Sequence, residues 1–429
     1  MIPRHSIGFW RRQLMNLPLN RNEPTIMHID LNSCFATVEQ QAYPTLRGKP
    51  LVIAAYTTPG GCVLAPSIEA KRYGIKTGMR VREARFLCKD VIVRDPDPKM
   101  VRYVHLGLRN ILQNYSVQVA PKSIDEFVLD FSKTTTLSQR LVEIGYEIKK
   151  RIRQEVGESI SCNIGISTNR FLAKLAASLH KPDGLDVITY KNIEAVYRLC
   201  QLIDLNGINT RFAARLNAHG IFTPLEFLQS PAQFLHRGVF RSIIGYHWYQ
   251  RLRGYEVDDI EFERKSIGQQ YALKIATSDP KELSRFLMKL CEKMGRRLRK
   301  LGFLAQGIHL SCGYKDWSYW QKNMLCHTLL YTTRDLYTKA QLLLNSQPEK
   351  KLVSNLTVAC YGLIAQQSSQ LSLFDNDRPK ERKISDALDK INDRFGEFTI
   401  LPATMMKMDN LILDRIAFGS VKELGDLYI

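Results

Sequence analysis

The sequence lacks several features that would assign it to a common class of protein. It has no apolar run approaching the roughly 18 residues needed to span a membrane, and its first segment carries arginines but no apolar stretch typical of a secretory signal. Its nine cysteines are an odd number, are scattered, and never form a CxxC pair. We therefore expect reduced cysteines in a cytoplasmic protein, without a disulfide framework or a zinc site.

Acidic residues are few compared with basic ones. The chain has 61 Lys and Arg against 42 Asp and Glu, a formal net charge of +19. Such an excess favours a polyanionic partner, and nucleic acid is favoured over a membrane surface because no membrane-spanning run is present. A basic surface that serves only solubility is the open alternative. At roughly 100 to 200 residues per domain, 429 residues predict two to four domains.

Strand-like and helical segments alternate over residues 25–188, which predicts an α/β or α+β domain. The predicted strands are TIMHID, LVIAA, YSVQVA, FVLDF and SCNIGIS. A mainly helical segment follows to about residue 258, and the pattern then restarts as strand, helix, strand. The clearest helix lies in ELSRFLMKLCEKMGRRLRKLG, and its non-apolar face predicts either a solvated surface or phosphate contacts. The cations of that face are Lys289, Lys293, Arg296, Arg297, Arg299 and Lys300.

Two adjacent acids, Asp125 and Glu126, stand where the strand FVLDF begins. Neighbouring strand residues point to opposite faces, so one acid should meet the core unless the chain turns there. Asp30 ends another strand, and adjoining strand ends would gather all three carboxylates. Three carboxylates repel one another unless a cation neutralises them, and magnesium suits such oxygen ligands. The alternative for an isolated Asp-Glu pair is a solvated surface turn.

A family resemblance changes the weight of that alternative. HIDLNSCFATVE, SIEAKRYGIKTGM, KSIDEFVLDF and CNIGISTNRFLAKLAASLHKPDG resemble, in order and spacing, Y-family translesion DNA polymerases of the UmuC/DinB type. KSIG, at residues 265–268, resembles the start of their little-finger domain. The resemblance covers about residues 25–400 and implies an α+β, multidomain right-hand fold.

The implied domains follow the chain. They are an N-terminal arm (1–24), a palm (25–33 and 99–188), fingers (34–98), a helical thumb with a helix-hairpin-helix (189–258), an α/β little finger (259–365) and a C-terminal tail (366–429).

The resemblance also implies the site. Asp30, Asp125 and Glu126 match the catalytic ligands of two Mg²⁺ ions, and the Leu31 carbonyl is an expected further ligand. Phe35 matches the aromatic steric gate that excludes a ribose 2′-hydroxyl, although the residue alone would suggest a core aromatic. Lys71 and Lys181 match contacts to the incoming dNTP, although Lys181 alone would suggest an exposed lysine before a proline turn.

The sequence departs from the family pattern at several positions. Ile68 and Lys71 replace a Tyr and an Arg of the fingers motif, so a bidentate phosphate contact is lost. Asn32 replaces a second Asp that is common in the DinB-type branch. Phe127 and Val128 replace a small residue followed by an aromatic one, which predicts altered packing below the metals.

Segments outside the palm predict contacts with DNA. LNGINTRFAARLNAHGIFT resembles a helix-hairpin-helix, in which Gly207 permits the tight turn and backbone amides hold a phosphate. Asn209 replaces the second glycine of the common hairpin, so a plain helical turn is the alternative. We predict DNA contacts at Gly207, Arg296 and Arg297.

A short peptide near the C-terminus, QLSLF, resembles the peptide that binds a bacterial-type sliding clamp. Its predicted contact residues are Gln370, Leu371, Leu373 and Phe374. Beyond it, Ile384, Leu388, Ile391 and Phe395 have helical spacing and Gly396 offers a stop. This helix is expected to dock on the body or on a partner.

Together these features predict a DNA-templated DNA polymerase of the translesion type, cytoplasmic and associated with the nucleoid. Its partners would be primer-template DNA, dNTP and a sliding clamp, with no membrane. A non-catalytic, clamp-tethered DNA-binding subunit is the main alternative, and retention of the three acids argues against it. A palm-fold nucleotide cyclase would not explain the hairpin, the basic second half or the clamp-like peptide.

Overall fold

A computed structural model of the chain describes residues 17–134, 140–260, 263–366, 378–406, 408 and 411–412. These residues form two compact units, one within residues 17–260 and the other within residues 263–412. Both units combine helices with sheets, so the predicted α+β class is confirmed. No described helix is long and apolar enough to cross a membrane.

The first unit contains eight strands and ten α-helices among the described residues. The strands are β1 (Ile26–Leu31), β2 (Leu51–Ala54), β3 (Val63–Pro66), β4 (Ile92–Arg94), β5 (Gln118–Pro121), β6 (Glu126–Asp130), β7 (Cys162–Ser167) and β8 (Leu185–Val187). The helices are α1 (Cys34–Ala42), α2 (Ile68–Arg72), α3 (Val81–Leu87), α4 (Pro98–Leu112), α5 (Leu141–Arg151), α6 (Arg170–Leu179), α7 (Ile193–Leu199), α8 (Thr210–Asn217), α9 (Pro224–Gln229) and α10 (Ile243–Leu252).

The central sheet of this unit has the order β5-β6-β1-β7-β8. Strand β1 pairs antiparallel with both β6 and β7, so it lies in the middle and is almost wholly buried. Helix α6 packs closely on this sheet at Gly165 of β7, where a Cβ would lie 2.0 Å from the Ala173 carbonyl oxygen. The same helix contributes Phe171, Leu172 and Leu175 to the core of the helical segment that follows. Thus α6 ties the sheet to the predicted thumb.

The small sheet β3-β2-β4 and the helices α2 and α3 lie within residues predicted as fingers. Helix α2 begins at an N-cap, Ser67, whose buried hydroxyl accepts a hydrogen bond from the Ala70 amide at 3.2 Å. The Ser67 hydroxyl also accepts a hydrogen bond from the Leu51 amide at 3.2 Å, so the start of this helix is attached to the first residue of β2.

The predicted N-terminal arm differs from a free segment where the structure describes it. Leu17 and Leu19 pack against the apolar core of the helical segment. The Leu17 amide donates to the Tyr249 hydroxyl at 3.1 Å, and the Asn20 side-chain amide donates to the Gly254 carbonyl at 2.9 Å. These contacts join residues far apart in sequence, which local patterning cannot reveal.

The second unit is a four-stranded antiparallel sheet of order β11-β10-β12-β9 with helices packed on it. Its elements are β9 (Ser266–Thr277), α11 (Pro280–Lys300), β10 (Phe303–Tyr314), β11 (Tyr319–Leu330), α12 (Thr333–Asn345), β12 (Val353–Ala365) and α13 (Arg378–Phe395). The predicted apolar stripe of α11 is buried in the core of this unit as expected.

The non-apolar face of α11 differs from both interpretations of the sequence. Part of it is neither solvated nor open, because α13 and the segment after it cover Lys289, Arg296 and Arg299, while Lys300 is exposed. Lys289 is 4% exposed and donates to the carbonyl oxygens of Met408 and Leu411 at 2.7 and 2.5 Å. Arg299 is held by Asp389 of α13 through two hydrogen bonds, at 2.5 and 2.9 Å. Half of the six predicted cations of α11 thus make contacts within the unit.

The predicted C-terminal tail is therefore partly a component of the second unit. Helix α13 forms at the predicted spacing and stops before Gly396, which has a φ of 115°. Its acidic edge contacts α11, while Ile384 and Phe395 of its apolar stripe are 59% and 65% exposed. Beyond the helix, Met405, Met408 and Ile412 join the core of the unit. The clamp-like residues Gln370, Leu371, Leu373 and Phe374 lie outside the described residues.

Candidate active site

The three predicted acids meet where β1 and β6 adjoin. Asp30 lies opposite Glu126 in the antiparallel register, and the Leu31 amide donates to the Asp125 carbonyl at 3.0 Å. Strand β6 begins only at Glu126, and residues 122–125 bend before it. The turn removes the expected conflict, because Asp125 lies outside the strand and need not alternate with its neighbour.

The carboxylate of Asp125 is perturbed by its surroundings. Burial is the main cause that raises its pKa to about 6; the nearby charges of Asp30 and Glu126 contribute to this rise, and a 2.5 Å hydrogen bond from the Ser123 hydroxyl opposes it. Such a carboxyl is costly to ionise in this position without a neutralising cation.

Two lysines approach the other two acids. Lys174, on α6, donates to both carboxylate oxygens of Glu126, at 3.0 and 2.8 Å. Lys181, in the loop between α6 and β8, forms an ion pair with Asp30. Both lysine side chains are partly exposed, at 37% and 43%.

A buried histidine lies beside this cluster. His28 is 2% exposed, and its Nε2 lies 3.8 Å from Glu126 Oε2. Burial is the main cause that lowers its pKa to about 3, and the charges of Lys174, Lys181 and Lys122 contribute to this shift. His28 is therefore neutral at physiological pH, so it is not a second counter-ion for Glu126.

The chemistry of this donor set fits divalent cations, although the side chains are not arranged as ready ligands. Within the described ranges, no three His, Cys, Asp or Glu side chains are grouped so that they could hold a metal. Asp30 and Glu126 face lysines instead, while burial, aided by the charges of these two acids, makes Asp125 costly to ionise. A cation at these oxygens would lower that cost, provided that the lysines move away.

The two predicted nucleotide lysines lie near one another. Lys71, on α2, is close enough to Lys181 and Asp30 to respond to both: burial lowers the pKa of Lys71, Lys181 lowers it further, and Asp30 opposes the shift. The Lys181 loop is itself fixed from beneath. Lys149 is 8% exposed, donates to the Gly184 carbonyl at 3.2 Å and pairs with Asp183 at 3.1 Å.

Phe35 lies at the start of α1, close in sequence to Asp30. Its ring is 4% exposed and belongs to the main core of the first unit. The core-aromatic alternative therefore describes its packing, and its role as a steric gate stays a prediction.

The departures from the family pattern have structural counterparts. Phe127 points away from the acids, is fully buried and stacks on His105 with ring centroids 4.7 Å apart. Asn32 is 6% exposed, and its side-chain amide lies 3.1 Å from the Ser161 hydroxyl. Neither residue adds charge to the acid cluster.

The predicted hairpin lies across a cleft from the acids. Gly207 has a φ of 97°, and a short 3₁₀ turn, Leu202–Asp204, stands in place of the helix expected immediately before it. Asn209 replaces a hairpin glycine because it caps α8, accepting from the Phe212 amide at 2.9 Å.

A cleft of about 740 Å³ joins the hairpin to the acids. Among its lining residues are Asp125, Glu126, Gly207, Trp248 and the cations Lys122, Arg170, Lys174 and Arg251. Sequence reasoning missed all four of these cations. Arg170 and Lys174 are four apart on α6, a spacing that places them on one helix face and could have indicated a shared role.

The predicted DNA contacts of the second unit are placed differently. The Arg296 side chain is 13% exposed and lies 2.8 Å from Asp393 and 3.4 Å from Glu397. Its charge is already paired within the unit, which supports a structural role, and its contact with DNA stays a prediction. Arg297, its half-buried neighbour, stays a prediction.

Comparison with known proteins agrees with this arrangement. Residues 29–178 match the impB/mucB/samB family, and residues 264–373 match the C-terminal domain of that family. A DNA polymerase IV of Pelotomaculum thermopropionicum is 32% identical over 398 residues, covering 91% of this chain and 97% of the relative. DNA polymerase IV 1 of Bacillus subtilis is 28% identical over 392 residues, covering 90% of this chain and 94% of the relative.

A solved structure shares the fold. The Y-family DNA polymerase chimera Dbh-Dpo4(243-245)-Dbh superposes with a TM-score of 0.69 at 23% identity, covering 79% of this chain and 99% of the other. The predicted family resemblance is thus confirmed. The chain belongs to the impB/mucB/samB family and has the fold of the Y-family DNA polymerases.

Proposed function

We propose that this protein is a DNA-templated DNA polymerase of the translesion type, which transfers dNTPs onto a primer 3′-hydroxyl. The observation that carries the proposal is the meeting of Asp30, Asp125 and Glu126 at adjoining strand ends, beside a cation-lined cleft. The alternative of a non-catalytic subunit is not favoured, since a binding subunit has no need of an Asp125 whose pKa is raised by burial beside two other acids.

Each group of residues has a role in this reaction. Asp30, Asp125, Glu126 and the Leu31 carbonyl would hold two Mg²⁺ ions, which activate the primer hydroxyl and stabilise the leaving pyrophosphate. Lys71 and Lys181 would bind the triphosphate of the incoming dNTP, with charge but without the fork of an arginine. Their closeness to Asp30 supports this assignment.

DNA would occupy the cleft of the first unit. Backbone amides at Gly207 and the cation Lys122 of the cleft would hold phosphates without reading sequence, whereas Arg170 and Arg251 are already paired with Glu256 and Asp258. This mode suits an enzyme that must accept any template, and it implies work at the nucleoid.

Phe35 would select the sugar of the incoming nucleotide. Because its ring is buried, Phe35→Ala would also leave a cavity and cost about 3 to 5 kcal/mol of stability. Phe35→Leu is the better test, since it removes the ring edge while filling most of the space. We expect a larger share of ribonucleotide incorporation by Phe35→Leu at an unchanged melting temperature. Unaltered sugar selectivity would place the gate elsewhere.

The peptide Gln370 to Phe374 would tether the enzyme to a bacterial-type sliding clamp, raising its local concentration at the primer end. Replacing Gln370, Leu373 and Phe374 with Ala should abolish stimulation by the clamp and spare extension of short free primers. Loss of clamp-free extension together with a lower melting temperature would instead indicate that the peptide packs on the protein.

Primer extension on an undamaged template and on one with a single defined lesion tests the function as a whole. We expect extension past the lesion at a substantial fraction of the undamaged rate, dependent on Mg²⁺ and abolished by EDTA. Normal DNA binding without extension on either template would favour the non-catalytic subunit.

A further inference from the structure

The acids of the candidate site are stored as ion pairs with lysines of one short segment. Lys174 holds both oxygens of Glu126, and Lys181 holds Asp30, so α6 and the loop after it serve both pairs. The side chains of Asp30 and Glu126 are only 17% and 19% exposed, whereas each lysine reaches them from a more open position. The lysines are therefore the partners that can leave.

A lysine ammonium and a divalent cation require the same carboxylate oxygens. Each pair must open before its acid can become a metal ligand, so the lysines and the metal compete directly. An exposed ion pair contributes little net free energy, so such a competition is reversible.

Lys181 has a second anion within its reach. Its charge acts on Lys71, whose pKa it helps to lower, and two ammonium groups that interact in this way would suit a triphosphate. When Lys181 turns to a triphosphate, Asp30 loses its counter-ion at the moment when a metal ion must bind there.

We propose that Lys181 is an exchangeable counter-ion that blocks Asp30 until an incoming nucleoside triphosphate draws it away, with Lys174 guarding Glu126 in the same manner. This inference rests on the proposed function, because it takes the dNTP as the anion. It links nucleotide binding to the release of a metal ligand, and such linkage is reciprocal. Lys174 and Lys181 then act on the acids as positioning residues.

A double-mutant cycle on dNTP binding in EDTA tests the exchange without any metal. Removing the competing carboxylate in Asp30→Asn should tighten dNTP binding about fivefold, and Lys181→Met should weaken it. In the double variant the gain from Asp30→Asn should disappear, because no lysine remains to be released. A gain that persists in the double variant reflects simple loss of negative charge and would overturn the proposal.

Metal affinity provides an independent measurement. Titration of the full chain with Mn²⁺, followed by the EPR signal of the free ion, needs neither nucleotide nor DNA. Lys174→Met and Lys181→Met should each raise Mn²⁺ affinity about fivefold, whereas Lys76→Met, at an exposed lysine of the fingers segment, should not. Unchanged affinity in both active-site variants, or an equal rise in Lys76→Met, would contradict the proposal.

The two failures are distinguishable. If the wild-type chain extends primers but the two substitutions of the double-mutant cycle act additively, only the proposed counter-ion exchange is wrong. If the wild-type chain neither extends primers nor binds dNTP, the proposed polymerase function itself is wrong.

Discussion

Both units hold charged side chains in ion pairs, but the pairs of the two units differ in how far they are exposed to solvent. In the first unit, Asp30 and Glu126 pair with lysines whose side chains are 43% and 37% exposed. In the second unit, Arg299 is only 4% exposed at its side chain and is held by Asp389 on a separate helix. The first arrangement can open at little cost, whereas the second cannot.

This difference shows that a charge pattern in a sequence does not by itself reveal the partner of each charged residue. A run of cations on a helix looks the same whether its partners are phosphates or carboxylates of the same chain. The exposure of the two partners decides whether an ion pair can open or stabilises the fold. An exposed pair contributes about 0 to 1 kcal/mol, whereas breaking a buried pair costs about 3 to 5 kcal/mol. Four predictions test this contrast.

The largest effect is expected at the acids of the first unit. Asp125→Asn or Glu126→Gln should lower the rate of primer extension by about 10³-fold or more, because metal-mediated charge stabilisation supplies several kcal/mol. DNA affinity should stay within a few-fold of wild type. Glu143→Gln, at an acid 65% exposed on α5, is the matched control and should extend normally. Near-wild-type extension by both active-site variants would remove the catalytic assignment.

A change in the second unit should affect stability instead of chemistry. Arg299→Met leaves Asp389 without its main partner and should lower the free energy of unfolding of that unit by about 3 kcal/mol. Arg334→Met, at a side chain 86% exposed, is the control and should change little. Denaturant unfolding measures both. A loss below about 0.5 kcal/mol for Arg299→Met would show that the α11–α13 pairing is no stronger than a surface ion pair.

The stability effect of Asp125 should depend on pH. Its folded pKa of about 6 lies above the ordinary value of 3.8, so the folded state binds the proton more tightly than the unfolded state. Stability is therefore lost as pH rises from about 3.8 to about 6, and the full cost of ionisation, at most about 3 kcal/mol, is present above pH 6. Asp125→Asn should melt higher than wild type at pH 8 in EDTA, and the difference should shrink as pH falls from 6 toward 4. A lower melting temperature at pH 8 would mean that the carboxylate supports the fold.

The smallest expected effect is that of single-residue changes on the salt dependence of DNA binding. Affinity should fall steeply between 50 and 200 mM salt, by about 10³-fold if six or more phosphates are contacted. Lys122→Gln, in the cleft, should reduce the logarithmic salt slope by about 1, while Arg296→Gln should leave it unchanged. A reduced slope in Arg296→Gln would restore this residue as a phosphate contact.

Much of the fold could be predicted from periodicity and motif order. The strands ending at Asp30 and beginning near Asp125, and the apolar stripe of α11, follow from local patterns that the structure reproduces. Local patterns reveal which residues share a face but not what lies opposite. The lysine partners of Asp30 and Glu126, and the acidic partners of α11, therefore appear only in three dimensions. The docking of Leu17 on Tyr249 is a third example of such a long-range contact.

Single-nucleotide incorporation by the wild-type chain tests most directly whether the protein is a template-directed DNA polymerase. A labelled primer on an undamaged template is offered each dNTP separately, opposite each template base, with Mg²⁺. We expect the chain to add chiefly the complementary dNTP and to add no nucleotide in EDTA. The preferred dNTP should change whenever the template base changes. Addition that ignores the template base, or no addition by a chain that binds the primer-template normally, would contradict this assignment.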